Sequence, residues 1–247
     1  MGLPVSVLVR GPQARSAAAA AIVEDVYAEL RRVDAVFSTY RPDSQVSRLA
    51  RGELSPEDCD DDVRTVLRLC EQARTATSGW FDHELPGADG RRRLDPSGLV
   101  KGWAAERAAQ RLGQLTGHDW LLNAGGDVVV SGRTRPFRVG IQSPREAGAV
   151  LDVVEVAAGG VATSGAYQRG GHVLDPHTGL AATSLASVTV VGPTLMAADV
   201  LATAAFAQGP AALPALEGTA GFEALAVLPD GQLRATSGWP GALRARP

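Results

Sequence analysis

The chain has only two cysteines in 247 residues, and Cys59 and Cys70 are too far apart to form a CxxC pair. Neither reads as half of a disulfide or as a zinc ligand, so both are expected to be structural or incidental. There is no basic excess either. The formal net charge is -3 and the pI about 5.8, which removes any general attraction to nucleic acid or an anionic membrane. The one dense basic cluster, Arg91 to Arg93, reads as a solvated loop or, alternatively, as a phosphate contact. No window approaches the roughly 18 apolar residues of a membrane span, and the start, MGLPVSVLVRGP, lacks a charged region followed by a long apolar stretch. On this reading the chain is expected to be cytoplasmic. Internal repeats and low-complexity linkers are missing, as are the nucleotide fingerprints GxGxxG and GxxxxGKS/T.

What remains is an ordinary globular composition, 45% hydrophobic and 21% charged, sufficient for a sizeable core. We read residues 1–247 as a single domain. LPVSVLVR alternates as a strand does, and SAAAAAIVEDVYAELRRVDAVF carries apolar residues at helical spacing. A second helix is predicted in SPEDCDDDVRTVLRLCEQARTAT, with Ser55 as N-cap, Pro56 at its first position and acidic residues in the first turn. The segment from Gly79 to Gly102 is rich in Gly, Pro and charge and leads into a third helix, WAAERAAQRLGQL. Strand-like pieces follow in series: WLLNAG, DVVVSG, FRVGIQ, VLDVVEV, GVATSG, GHVLD and LASVTVVG. Next come the helix LMAADVLATAAFAQG, a short AALPALEG helix and closing strands near FEALAVLPDG and QLRATS. Early helices and many later strands, without regular alternation, predict an α+β fold with mixed or antiparallel sheets and packed helices.

Five stretches stand out for their polar residues. FSTYRPDSQVSRL gathers Ser38, Tyr40, Asp43 and Ser44, which capping and turn chemistry also explain. LDPSGLVKGWAAE places Asp95, Gly98, Lys101 and Gly102 before a helix, where glycines admit close backbone approach and helix N–H groups can meet an anion. LLNAGGDVVVSG reads fully as a tight turn. VATSGAYQRGGHVLDPHTG is denser in hydroxyls and imidazoles than a turn requires, and there the functional reading leads. In LMAADVLATAAFAQG, Asp199 and Thr203 lie four apart, on one helix face with Cβ atoms roughly 5–6 Å apart. A carboxylate and a hydroxyl suit Mg²⁺ rather than zinc. A dipole-complementing Asp and a back-bonded Thr are the alternative.

Taken together, FSTYRPDSQVSRL, LDPSGLVKGWAAE, NAGGD, ATSGAY, HVLDPHTG and SVTVVGPTLMAADVLATAAFAQG occur in the order that resembles the ApbE family of flavin transferases, over about Phe37 to Gly209. The resemblance implies an ApbE-like, T-fold-related architecture and transfer of FMN from FAD onto a threonine of a partner flavoprotein, with AMP released. It implies Mg²⁺ on Asp199 and Thr203, completed by the carbonyls of Gly98 and Ala162. It implies flavin contacts at Asp95, Lys101 and Val173, with Tyr40, Thr163, Ser164 and Gly165 as further pocket lining. His172, in its HVLDP setting, is the expected base, because a neutral hydroxyl is a poor nucleophile and imidazole titrates near neutral pH. His177 is expected to be structural. Two alternatives share the same pocket: an Mg²⁺-dependent FAD pyrophosphatase giving FMN and AMP, and a non-catalytic FAD-binding protein. The chain departs from many relatives in a short, Arg-rich segment before LDPSG, with Phe81 and Asp82 as remnants of a longer stretch, so the adenine end of the pocket is expected to be built differently.

Overall fold

The computed structural model describes residues 2–86, 90–166 and 173–243. Its centre is a seven-stranded sheet in the order β1 (Val5–Arg10), β4 (Asp119–Ala124), β5 (Asp127–Ser131), β8 (Ala158–Gly165), β9 (Ser187–Gly192), β10 (Glu223–Val227) and β11 (Leu233–Ala235). Every one of these pairings is antiparallel. Two hairpins stand apart from the sheet: β2 (Glu84–Pro86) with β3 (Arg92–Leu94), and β6 (Phe137–Gln142) with β7 (Val150–Val156). This is the expected α+β architecture, antiparallel rather than mixed among the described residues.

Both faces of the sheet are covered, and the strand sequences record it. Val129 of β5 points into one core while Val128 and Val130 point into the other, as the two-residue period of a strand requires. Strands buried on both faces read as continuous apolar runs, which is why DVVVS shows no polar alternation. The smaller core is closed by the β6–β7 hairpin and Trp239, whose indole N–H donates to buried Asp152 at 2.8 Å.

Helices pack on the other face: α1 (Ala17–Phe37), α2 (Gln45–Ala50), α3 (Asp61–Ala76), α4 (Ser97–Ala109), α5 (Leu195–Gln208) and α6 (Leu213–Glu217). α1 is amphipathic, burying Ala19, Val26, Leu30, Val33 and Phe37 on one stripe, and Ser16 caps it by accepting the Ala19 N–H. α5 is different, being apolar nearly all round and buried nearly all round. A helix of that kind belongs in the interior. Glu29, Arg32, Asp62 and Arg107 tie α1, α3 and α4 together through contacts of 2.6–2.7 Å.

Several elements differ from the sequence reading. α4 begins at Ser97, so Gly98, Lys101 and Gly102 lie inside the helix rather than before it. Packing against α5 outweighs the roughly 1 kcal/mol that an interior glycine costs. α3 begins at Asp61, and Ser55 instead opens a short 3₁₀ turn over Pro56–Asp58, closed by the Asp58 carboxylate accepting from the Ser55 N–H and hydroxyl. The short helix α2 and strands β2 and β3 fall where the sequence showed only polar segments, each too brief to display a period. Of GHVLD, Gly171 and His172 lie outside the described residues, and Leu174 forms a single bridge to Ala181 rather than a strand.

Candidate functional site

A cleft of about 730 Å³ opens between the N-terminal half of α4, the middle of α5, the turn between β4 and β5, and the end of β8. That volume falls within the roughly 300–1,000 Å³ of small-molecule sites. Among the expected residues, Tyr40, Asp95, Gly98, Lys101, Thr163, Ser164, Val173, Asp199 and Thr203 line it. Ala162 and Gly165 do not; Ala162 is buried in β8, and Gly165 ends that strand. His172 lies outside the described residues.

The floor of the cleft is a chain of charge. The Lys101 ammonium is 2.6 Å from Asp127 Oδ2 and 3.2 Å from Asp199 Oδ1. Asp199 Oδ2 accepts the backbone N–H of Gly102 at 3.0 Å, and Asp127 Oδ1 accepts that of Thr163 at 3.0 Å. Both carboxylates are buried, at 1% and 0% exposure. Burial drives the Asp199 carboxyl upward, Lys101 pulls it back, and Asp127 adds to the rise. For Lys101 burial acts downward, but Asp199 and Asp127 together hold it above the ordinary lysine range. One ammonium thus serves two buried carboxylates, and the negative charge is incompletely balanced.

Local structure explains each placement. Gly102 has Met196 and Asp199 so close that a Cβ there would lie 2.8 Å from Met196 Cα and 3.1 Å from Asp199 Cβ. Only glycine lets α4 approach α5 this closely and bring its N–H to the carboxylate. The β4–β5 turn runs through Gly125 and Gly126, both at positive φ, and is closed by the Gly126 N–H donating to Asn123 Oδ1 at 2.9 Å. It delivers Asp127 directly into the floor. Thr163 and Thr189 share a hydroxyl contact of 2.9 Å across β8 and β9.

Asp95 faces the cleft and also accepts the Ser97 N–H at 3.0 Å, steadying the entry to α4. Gly98 packs on Phe81 and on Thr203. Tyr40 is 82% exposed at the mouth. Trp80 and Asp82 add to the wall, and His177 meets Trp80 edge-on at 4.6 Å between ring centroids. The turn carrying His177 is held by Asp175, which accepts from the His177 N–H and the Thr178 hydroxyl. Asp127 is the residue that sequence reasoning left unassigned. Its signal was an acidic residue opening an otherwise apolar strand, and a tight turn already accounted for that stretch.

Three comparisons bear on this site. A sequence profile of the ApbE family matches residues 1–87 and 85–226. The FAD:protein FMN transferase of Haemophilus influenzae is 33% identical over 130 residues, covering 47% of this chain and 38% of its own length. That of Treponema pallidum is 29% identical over 204 residues, covering 72% of this chain and 56% of its own. The chain therefore spans roughly two fifths to just over half of these relatives. The crystal structure of an ApbE protein from Thermotoga maritima superposes with a TM-score of 0.80 at 23% identity, covering 95% of this chain and 94% of that one, so the two share a fold.

Proposed function

The chain belongs to the ApbE family, and from that premise we propose that it moves FMN from FAD onto a threonine hydroxyl of a partner flavoprotein and releases AMP. The observation that carries the reading is the buried Lys101, Asp127 and Asp199 chain on the floor of a cleft large enough for a nucleotide. The names of the Haemophilus and Treponema relatives support the coarser part of this reading, FMN transfer from FAD to a protein.

The residues fit a divalent cation. Asp199 offers a buried carboxylate whose charge is only partly met, Thr203 lies one turn along the same helix, and both line the cleft. Gly98 packs on Thr203, and a peptide carbonyl carries two lone pairs, of which a helix bond uses at most one. This is an all-oxygen set suited to Mg²⁺. Asp199, Thr203 and the Gly98 carbonyl would hold it, with the Ala162 carbonyl as the family match. Bound there, Mg²⁺ supplies charge neutralisation at the pyrophosphate.

The chain's own groups do the rest. Lys101 sets a positive charge beside the same phosphates. Asp95, Val173 and the β8 residues Thr163 and Ser164 bound the flavin end, with Gly165 behind them at the end of the strand, and Tyr40 flanks the mouth. His172 takes the proton from the attacking hydroxyl; its HVLDP setting and the near-neutral titration of imidazole support that role.

The test is to incubate the protein with FAD, Mg²⁺ and an acceptor domain bearing a Ser/Gly/Thr-rich motif, reading the acceptor's intact mass together with AMP. One FMN gained per acceptor, lost in Asp199→Ala, is the expected result. AMP without added mass would replace transfer by FAD hydrolysis, and neither product would leave a flavin-binding protein.

A further inference from the structure

Lys101 is a problem for any cation at Asp199, since the ammonium lies 3.2 Å from Asp199 Oδ1. A cation bound to that oxygen would sit close to the ammonium, and like charges near one another repel strongly in a buried setting. An ammonium paired fully with Asp199 would compete with the cation for the same oxygen. The distances show how the fold avoids this. Lys101 is nearer to Asp127, at 2.6 Å, and Asp127 Oδ2 has no other partner among the described residues. Asp127 cannot swing away to meet the ammonium elsewhere, because its Oδ1 is held by the Thr163 N–H and its side chain is wholly buried.

We infer that Asp127 is a positioning residue that draws the Lys101 ammonium off Asp199, leaving Asp199 Oδ1 open to a divalent cation. This rests on the proposed reading of the site. Three elements make it work: α4 supplies the ammonium, the first residue of β5 the carboxylate that holds it, and α5 the carboxylate that is kept available. The same Asp127 fixes the 162–163 peptide of β8, which borders the cleft. One side chain therefore sets both the charge on the floor and the backbone of one wall. The charges also add up. With two carboxylates and one ammonium the floor carries a net charge of minus one, and a divalent cation turns it to plus one, facing an anionic pyrophosphate.

Asp127→Asn tests this with little change in shape, because the amide oxygen still accepts the Thr163 N–H. In that variant Asp199 is the one carboxylate left within ion-pair distance of Lys101 among the described residues. Mn²⁺ is used as the probe, titrated into the protein without FAD and followed by the loss of its free electron paramagnetic resonance signal. The expected result is a dissociation constant raised about tenfold or more in Asp127→Asn. The double variant Asp127→Asn/Lys101→Met, which removes the competing ammonium as well, recovers most of the loss. Such non-additivity is the mark of two residues acting on one another. Far-ultraviolet circular dichroism and the melting temperature confirm that each variant is folded, and Asp127→Glu serves as a charge-retaining comparison that keeps measurable affinity.

Equal Mn²⁺ affinity in wild type and Asp127→Asn would overturn the inference. So would a double variant no better than the single one, which would reduce Asp127 to holding β8. A wild-type protein that binds no Mn²⁺ would also overturn it, and the acceptor-mass assay would then show separately whether flavin transfer stands without the cation.

Discussion

The backbone N–H of Gly102 donates to Asp199 Oδ2 at 3.0 Å across 97 positions of sequence, joining α4 to α5 at the floor of the cleft. A peptide N–H gives the carboxylate a fixed donor with no side chain to order. It also leaves the other oxygen, Oδ1, to the cleft, where Lys101 and the proposed cation meet it.

Gly102→Ala should therefore damage structure and site together. Its methyl would sit 2.8 Å from Met196 Cα, so α4 and α5 must separate. Overpacking of this kind costs about 1–3 kcal/mol, which for a chain of this size lowers the melting temperature by roughly 2–4 °C per kcal/mol. Differential scanning calorimetry reads the stability loss. A Mn²⁺ titration of the still-folded variant should show weaker binding, and an unchanged melting temperature would contradict the close-approach argument.

Asp199→Asn and Thr203→Val separate charge from hydroxyl. Asp199→Asn is expected to lower the rate of FMN transfer on the order of 10²-fold or more, as removal of a group that stabilises transition-state charge does. Thr203→Val is expected to act mainly on the Mg²⁺ concentration needed for half-maximal rate, with a smaller loss at saturating metal. Rates measured across a Mg²⁺ series decide this, and identical Mg²⁺ curves for wild type and Thr203→Val would remove Thr203 from the cation site.

Acid stability should report the ion cluster on the helical layer. Hydrogen bonds and charge from Arg32 first, and Arg107 after it, hold the Glu29 carboxyl down at about 2 against the 4.5 of an unperturbed glutamate. A depressed folded-state value means that the stabilisation is complete above pH 4.5 and is lost as pH falls from there through 2. Glu29→Gln should thus cost stability at neutral pH, on the order of 2 kcal/mol after allowing for the partly exposed arginines, and the difference from wild type should shrink toward pH 2. Denaturant melts at pH 7, 4 and 2.5 measure it, and a difference independent of pH would refute the assignment.

The cysteines should be chemically silent in the native protein. Burial pushes the Cys70 thiol up to about 12, and burial with neighbouring Asp58 and Asp60 raises Cys59 as well. At pH 8 the Cys70 thiol is thiolate to only about one part in 10⁴, and Cys59 is shifted in the same direction. A disulfide reagent should release almost no colour until guanidinium is added, and then titrate both thiols. Rapid reaction of one thiol in the native state would show an opening near α3.

How much of this was legible beforehand varies by element. The long helix α1 and the strands β4 to β8 were readable because apolar periodicity marks which face must leave water, and they carry that signal over enough residues. The start of α4 was not. Gly98 and Gly102 look locally like a loop, and only the presence of α5 alongside turns Gly102 into a helix residue required by packing. Among site residues, Asp95, Lys101, Asp199 and Thr203 stood out through motif order, and the fold places them around one cleft. Asp127 escaped because NAGGD is fully satisfying as a turn.

The order of motifs along the chain, together with the buried apolar runs, was enough to determine the fold class and the family, since both are properties of local pattern. The tertiary structure alone decided which charges meet. Lys101, Asp127 and Asp199 come from a helix, the start of a strand and a second helix far apart in sequence. Charge pairing depends on distances of a few ångströms and on exclusion from water, and neither exists until the sheet and helices have closed around them.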